Sequence, residues 1–142
     1  MKRLFVLLML ILAATAIAAS QYSRYFLDKT MRIDFYHTGT KGQETISLDR
    51  VYQEGEWPGT RTQLIDPLNL GEYIVRVYDL ASAQPIFSRG YSTYCNEWQT
   101  TDEALGGTYR TFHETVRFPY PKSPVQVTIS RRDKQMVFHE VF

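Results

Sequence analysis

Chemistry in this sequence has to start from three histidines, one cysteine and a scatter of carboxylates. His113-Glu114-Thr115-Val116-Arg117 opens like the zinc motif H-E-x-x-H, but arginine stands where the second histidine is needed. That motif works because two imidazoles one helical turn apart grip one ion, with the glutamate beside it as base. Here the alternation of the surrounding residues places His113 on a strand, and His139-Glu140-Val141-Phe142 stops short of a second histidine. The serines at 82, 88, 92, 123 and 130 lack the G-x-S-x-G setting of a nucleophile elbow. Cys95, between Tyr94 and Asn96, reads as a small buried hydrophobe rather than a nucleophile. Glu54 with Glu56 and Asp102 with Glu103 are acid pairs of the kind glycosidases use, yet such pairs at helix starts and in loops are usually solvated. Gly106-Gly107 has no lysine and threonine after it to hold a phosphate. No catalytic residue, metal ligand or cofactor site is therefore assigned. The residual signal is aromatic: Trp57, Trp98 and Tyr120 fall in stretches that read as loops, where rings either plug the end of a fold or anchor a partner or glycan.

The elements that would carry these residues repeat with period two. Met31, Ile33 and Phe35 alternate with Arg32, Asp34 and Tyr36, and Ile46 and Leu48 alternate with Thr45 and Ser47 around a turn at 39–42. Val51-Tyr52 reads as a break before a loop at Trp57-Pro58-Gly59. Tyr73 to Tyr78 and Ile86 to Tyr91 form a hairpin joined through 81–84, with Gly90 expected at a bulge. Tyr109 to Phe118, Val125 to Ile129 and Met136 to Phe142 alternate again, and Pro119, Pro121 and Pro124 punctuate between them. One helical turn is expected at 101–105, capped by Thr101 and stopped by Gly106-Gly107. About seven short strands with turns between them predict an all-β sandwich of immunoglobulin- or fibronectin-like type.

Met1-Lys2-Arg3, the apolar run Leu4–Leu12 and the small residues that follow have the order of a secretory signal peptide, expected over 1–19, with the domain at 20–142. Sixteen apolar or small residues are too few for a bilayer-spanning helix. The expected location is the periplasm, the cell surface or the medium. Sixteen basic residues stand against fifteen acidic ones, and losing Lys2 and Arg3 with the leader leaves fourteen. A near-neutral chain offers no nucleic-acid footprint. One cysteine excludes an internal disulfide and a multi-cysteine zinc site. The last residues, up to Phe142, form a strand-like run with no polar tail, as a terminal edge strand or a fragment of a longer parent would.

Several loop motifs carry a likeness to a known family. The run Tyr25-Phe26-Leu27-Asp28-Lys29-Thr30-Met31-Arg32-Ile33-Asp34-Phe35-Tyr36-His37-Thr38-Gly39 resembles the opening of the N-terminal domain of the secreted bacterial zinc metallopeptidases of the IgA-peptidase family. Trp57-Pro58-Gly59-Thr60-Arg61, Leu70-Gly71-Glu72-Tyr73, Val77-Tyr78-Asp79 and Phe87-Ser88-Arg89-Gly90-Tyr91 continue the resemblance. So do Glu97-Trp98-Gln99-Thr100-Thr101-Asp102-Glu103-Ala104, the most specific piece, and Phe118-Pro119-Tyr120-Pro121-Lys122. The resemblance spans about 22–142. It implies a β-sandwich that supports a covalently linked zinc peptidase domain, with proteolysis residing in that other domain. No position here matches the family's zinc ligands, so no catalytic role is carried over. Trp57, Glu97, Trp98 and Tyr120 are the residues expected to meet the linked domain or another partner. The alternative is a stand-alone module that binds a glycan or glycoprotein.

Overall fold

The structure, a computed structural model, describes residues 21–142; the expected signal peptide lies outside the described residues. After a helical turn over 21–25, seven strands follow: β1 (Phe26–Thr40), β2 (Gln43–Glu54), β3 (Tyr73–Asp79), β4 (Pro85–Tyr91), β5 (Arg110–Pro121), β6 (Val125–Arg132) and β7 (Phe138–Glu140). Two short helices, α1 (Tyr94–Trp98) and α2 (Asp102–Leu105), sit between β4 and β5. The strands make two antiparallel sheets, ordered β2-β1-β5 and β4-β3-β6-β7. This is the expected β-sandwich. The larger sheet keeps β4 beside β3, as in a fibronectin-like sandwich, and β1 takes the centre of the smaller sheet.

Alternation explains the core. Ile33 and Phe35 on β1, Val75 and Val77 on β3, Phe87 on β4, Val116 and Phe118 on β5 and Ile129 on β6 all point between the sheets and are buried. The Phe87 and Phe118 rings meet at 6.1 Å, one from each sheet.

Several expectations are corrected. β1 is far longer than 31–36, because both its flanks find partners in β2 and β5. Val51-Tyr52 does not end β2. A bulge between Asp34 and Phe35 of β1 lets two β2 residues, Asp49 and Arg50, span one step, and pairing resumes through Glu54. Gly90 is not a bulge but pairs in register with Ile74, and the irregularity lies between Val77 and Tyr78. Its lack of a side chain serves the Leu70 backbone, which lies where a Cβ would stand. Pro119 and Pro121 lie within β5, an edge strand, where a missing N–H is tolerated. Arg131 and Arg132 extend β6, and β7 is only three residues long. Leu48 faces inward opposite Phe35 but stays half exposed, because β2 is an edge strand that the other sheet covers only in part. The turn at 101–105 forms as α2, with Thr101 accepting the Ala104 N–H. α1 was not anticipated: Thr93 caps it by accepting from Asn96 N–H, a signal hidden among short polar residues.

Candidate functional site

The four residues singled out for partner contact do not form one patch. Trp57 is in the expected loop but is a core residue, its ring edge-on to Phe87 at 6.0 Å and its indole N–H donated to the Thr60 carbonyl at 3.0 Å. Trp98 is on α1 rather than in a loop, buried, with its N–H donated to the Gly39 carbonyl at 3.2 Å and the Arg110 guanidinium 4.0 Å over the ring. Tyr120 is on strand β5, partly buried, and Glu97 is exposed on α1. Glu97 and Trp98 lie where β1 ends at Gly39 and Thr40; Trp57 and Tyr120 lie where it begins, beside Thr30 and Phe26.

Sequence reasoning missed the most charged region of the interior. His37 continues the inward series of Ile33 and Phe35 and is fully buried. Its Nε2 lies 2.8 Å from Glu44 Oε2 of β2, and its Nδ1 lies 3.0 Å from Glu114 Oε2 of β5. Tyr73 of β3 donates its hydroxyl to Glu44 Oε2 at 2.5 Å. Arg131 of β6 donates from Nη1 to Glu44 Oε1 at 3.1 Å and to Gln99 Oε1 at 2.9 Å, and from Nη2 to Asn96 Oδ1 at 3.2 Å. The Cys95 backbone N–H donates to Glu114 Oε1 at 3.4 Å, and its buried sulfur lies 3.8 Å from Gln99 Nε2. Gly39 lets α1 come this close, since a Cβ there would stand 2.9 Å from the Cys95 sulfur. Both sheets and α1 thus meet on two carboxylates and two cations.

The electrostatics follow from this packing. Burial alone would favour neutral imidazole, yet Cys95, Glu114 and Glu44 around His37 outweigh it and raise the group to about 11. Burial pushes Glu44 up, but the bonds from His37, Tyr73 and Arg131 hold it down at about 2. Burial, then the hydrogen bond to Glu44, pushes the Tyr73 hydroxyl up. His37 is therefore an imidazolium that donates from both nitrogens. Both ring nitrogens are thus taken up by carboxylates of neighbouring strands. The cluster is a clamp of matched charges between the sheets.

The remaining sequence candidates are dispersed. His113 is exposed on the outer face of β5, 3.2 Å from Asp49, and His139 lies 2.7 Å from Asp133. Among the described residues no group of three or more His, Cys, Asp or Glu side chains is arranged to hold a metal ion. The missed clamp did leave a signal: His37, Glu44 and Glu114 each sit on the inward phase of an apolar alternation, with Phe35, Ile46 and Val116 as neighbours two residues away. Against known proteins, the family model of the peptidase M64 N-terminus matches residues 21–142. No curated protein matches the chain.

Proposed function

We propose, because the chain belongs to the peptidase M64 N-terminus family, that it is a non-catalytic accessory module that supports and orients a zinc peptidase domain. The observation that carries the non-catalytic part is the His37 clamp: both nitrogens of this buried imidazole are held by carboxylates. In this reading residues 1–19 direct export and are removed, and 20–142 work outside the cytoplasm. The surfaces assigned to the peptidase part are Tyr120 with the cleft beside it and Glu97 on the exposed side of α1. Trp98 anchors from beneath the helix that presents Glu97, and Trp57 packs in the core against Phe87. Fusing a peptidase part of this family after Phe142 tests the reading. Tyr120→Ala or Glu97→Lys should change the rate of protein-substrate cleavage severalfold while melting temperature stays put; unchanged rates in both variants would refute it. Mass analysis of the exported product, with a mature start at residue 19 or 20, tests the leader.

One observation favours the second reading, a glycan-binding module. On the outer face of the smaller sheet Tyr36 is 45% exposed and its ring lies 5.0 Å from that of His113, with Asp49 beside them. A sugar stacks on such a ring while hydroxyls reach the flanking polar groups. A glycan array read with wild type and Tyr36→Ala decides it: a signal lost in the variant supports the module, and an empty array ends it.

A further inference from the structure

Four arginines are half-buried among the described residues, and they are not treated alike. Arg32 lies on Asp34 and Glu54, and Arg131 lies on Glu44, so each of these cations has its anion. Arg76 of β3 and Arg132 of β6 meet no carboxylate among the described residues. Arg76 Nη1 reaches only the Ser130 hydroxyl, at 3.5 Å, and Arg132 Nη2 donates to the Asn69 carbonyl. The Arg132 Nε is buried with no acceptor. A guanidinium carries five N–H donors and a fixed charge, and drawing it out of water without an acid leaves both unanswered.

The two side chains share a face. Alternation turns Arg76, Ser130 and Arg132 to the outer side of the larger sheet, away from Val75, Val77 and Ile129. Both guanidiniums lie over the ring of Phe138 of β7, Arg76 at 5.2 Å and Arg132 at 4.5 Å from its centre. Glu140 pairs with Ser130 on this face but is exposed and forms no ion pair with either arginine. Arg132 also borders a cleft of about 960 Å³ whose walls include Leu68, Leu70, Met136 and Lys134. Leu68 is 71% exposed, Leu70 67% and Met136 64%, so the apolar rim faces water. Of the two acids that line the cleft, Asp133 already accepts from the Gln135 and Val137 N–H groups and bonds His139, and Glu72 is exposed.

We infer that Arg76, Arg132 and Phe138 form a docking site for an extended acidic segment of a partner polypeptide, with the neighbouring cleft taking its apolar side chains. A planar carboxylate meets the guanidinium fork in two parallel bonds, which a lysine pair would not offer. Carboxylates two residues apart on an extended chain are spaced by roughly 6.6 Å. Two guanidiniums gathered about one ring can take both. Thr128 and Ser130, the hydroxyl residues of this face, are buried and leave little for a sugar to bond. The exposed leucines and methionine beside them suit adaptable apolar contact, which favours a polypeptide over an acidic glycan. The site stands apart from the surfaces assigned to the peptidase part and does not rest on that assignment.

Fluorescence anisotropy tests it, with the full chain and a labelled peptide alternating leucine and glutamate. The same peptide with glutamine for glutamate, and a labelled oligogalacturonate, run beside it. The acidic peptide should bind, and the glutamine peptide should bind about tenfold more weakly or worse. Arg76→Gln and Arg132→Gln should each cost about tenfold in affinity for the acidic peptide. Leu68→Ser should weaken it severalfold, and Arg50→Gln, on the other sheet, should leave it unchanged. Arg76→Gln removes one long hydrogen bond within the protein, so its melting temperature should match wild type and its loss is one of binding. No binding of the acidic peptide, equal binding of both peptides, or full affinity in both arginine variants overturns the site. Oligogalacturonate binding that needs Arg76 and Arg132, with no peptide binding, overturns the assignment to a polypeptide.

Discussion

Two regions of this sandwich solve the problem of an open margin in opposite ways. Where β1 ends, the interior is polar. His37, Glu44, Glu114, Tyr73 and Arg131 close the space between the sheets, and the charges are all matched. Along the margin between β2 and β6 the interior is apolar, and Val51 and Leu48 there are half exposed. A buried ionic network is directional and demands all its partners, so it specifies one arrangement of five strands and a helix. An apolar cleft demands only contact, so it tolerates exposure and remains able to accept a partner. The polar end therefore fixes how the sheets pack, while the apolar margin leaves Leu48 and Val51 half exposed.

The contrast can be broken at its strongest point first. Phe118→Ala, in the apolar centre, should cost about 3–5 kcal/mol. His37→Leu, which leaves two buried carboxylates without their shared cation, should cost a similar 3–5 kcal/mol or so. Denaturant unfolding measures both, and a His37→Leu cost below about 1 kcal/mol would mean that the polar end does not hold the sheets together.

The next effect is on pH. His37 titrates in the fold at about 11, above its ordinary 6.5, so its contribution is complete below 6.5 and is lost as pH rises through 11. Glu44 is held at about 2 against an ordinary 4.5, so its contribution is present above 4.5 and is lost as pH falls through 2. Stability should thus decline from pH 7 to pH 10 in wild type. The decline should be shallower in His37→Leu, as unfolding titrations at both pH values would reveal. Parallel curves for the two proteins would remove the imidazolium from the account.

Smaller again is Thr101→Ala, which deprives α2 of its cap and should cost about 1 kcal/mol. Smallest is Leu48→Lys on the open margin, expected within about 0.5 kcal/mol of wild type. A large loss there would show that the margin already serves the fold and would blunt the comparison.

The strands and most turns were legible because burial on one face of a sheet imposes a period of two, and that period survives in the order of residues. The sandwich, the Thr101 cap and the β3–β4 hairpin follow from local pattern and turn chemistry. So does the absence of a complete H-E-x-x-H motif from this chain. The same rule, applied to polar residues, would have marked His37, Glu44 and Glu114 as inward-facing, but nothing local says that three strands bring both carboxylates within 3.0 Å of the imidazole. Lengths and edges were not legible either: β1 outruns its own alternation because partners on both sides saturate its backbone. Trp98 and Tyr120 were misplaced because flanking polar residues and prolines signal a loop where a short helix and an edge strand form, and nothing local says that the ring of Trp57, in its expected loop, turns into the core.

Residue order by itself determined which positions alternate and where the chain turns, since these depend on neighbours a few residues apart. Only the tertiary structure decided that a histidine lies buried between two acids of neighbouring strands, and that an apolar cleft lies between Val51 of β2 and Val127 of β6. Both depend on which distant strands lie side by side, and pairing across the sheets is a property of the whole chain.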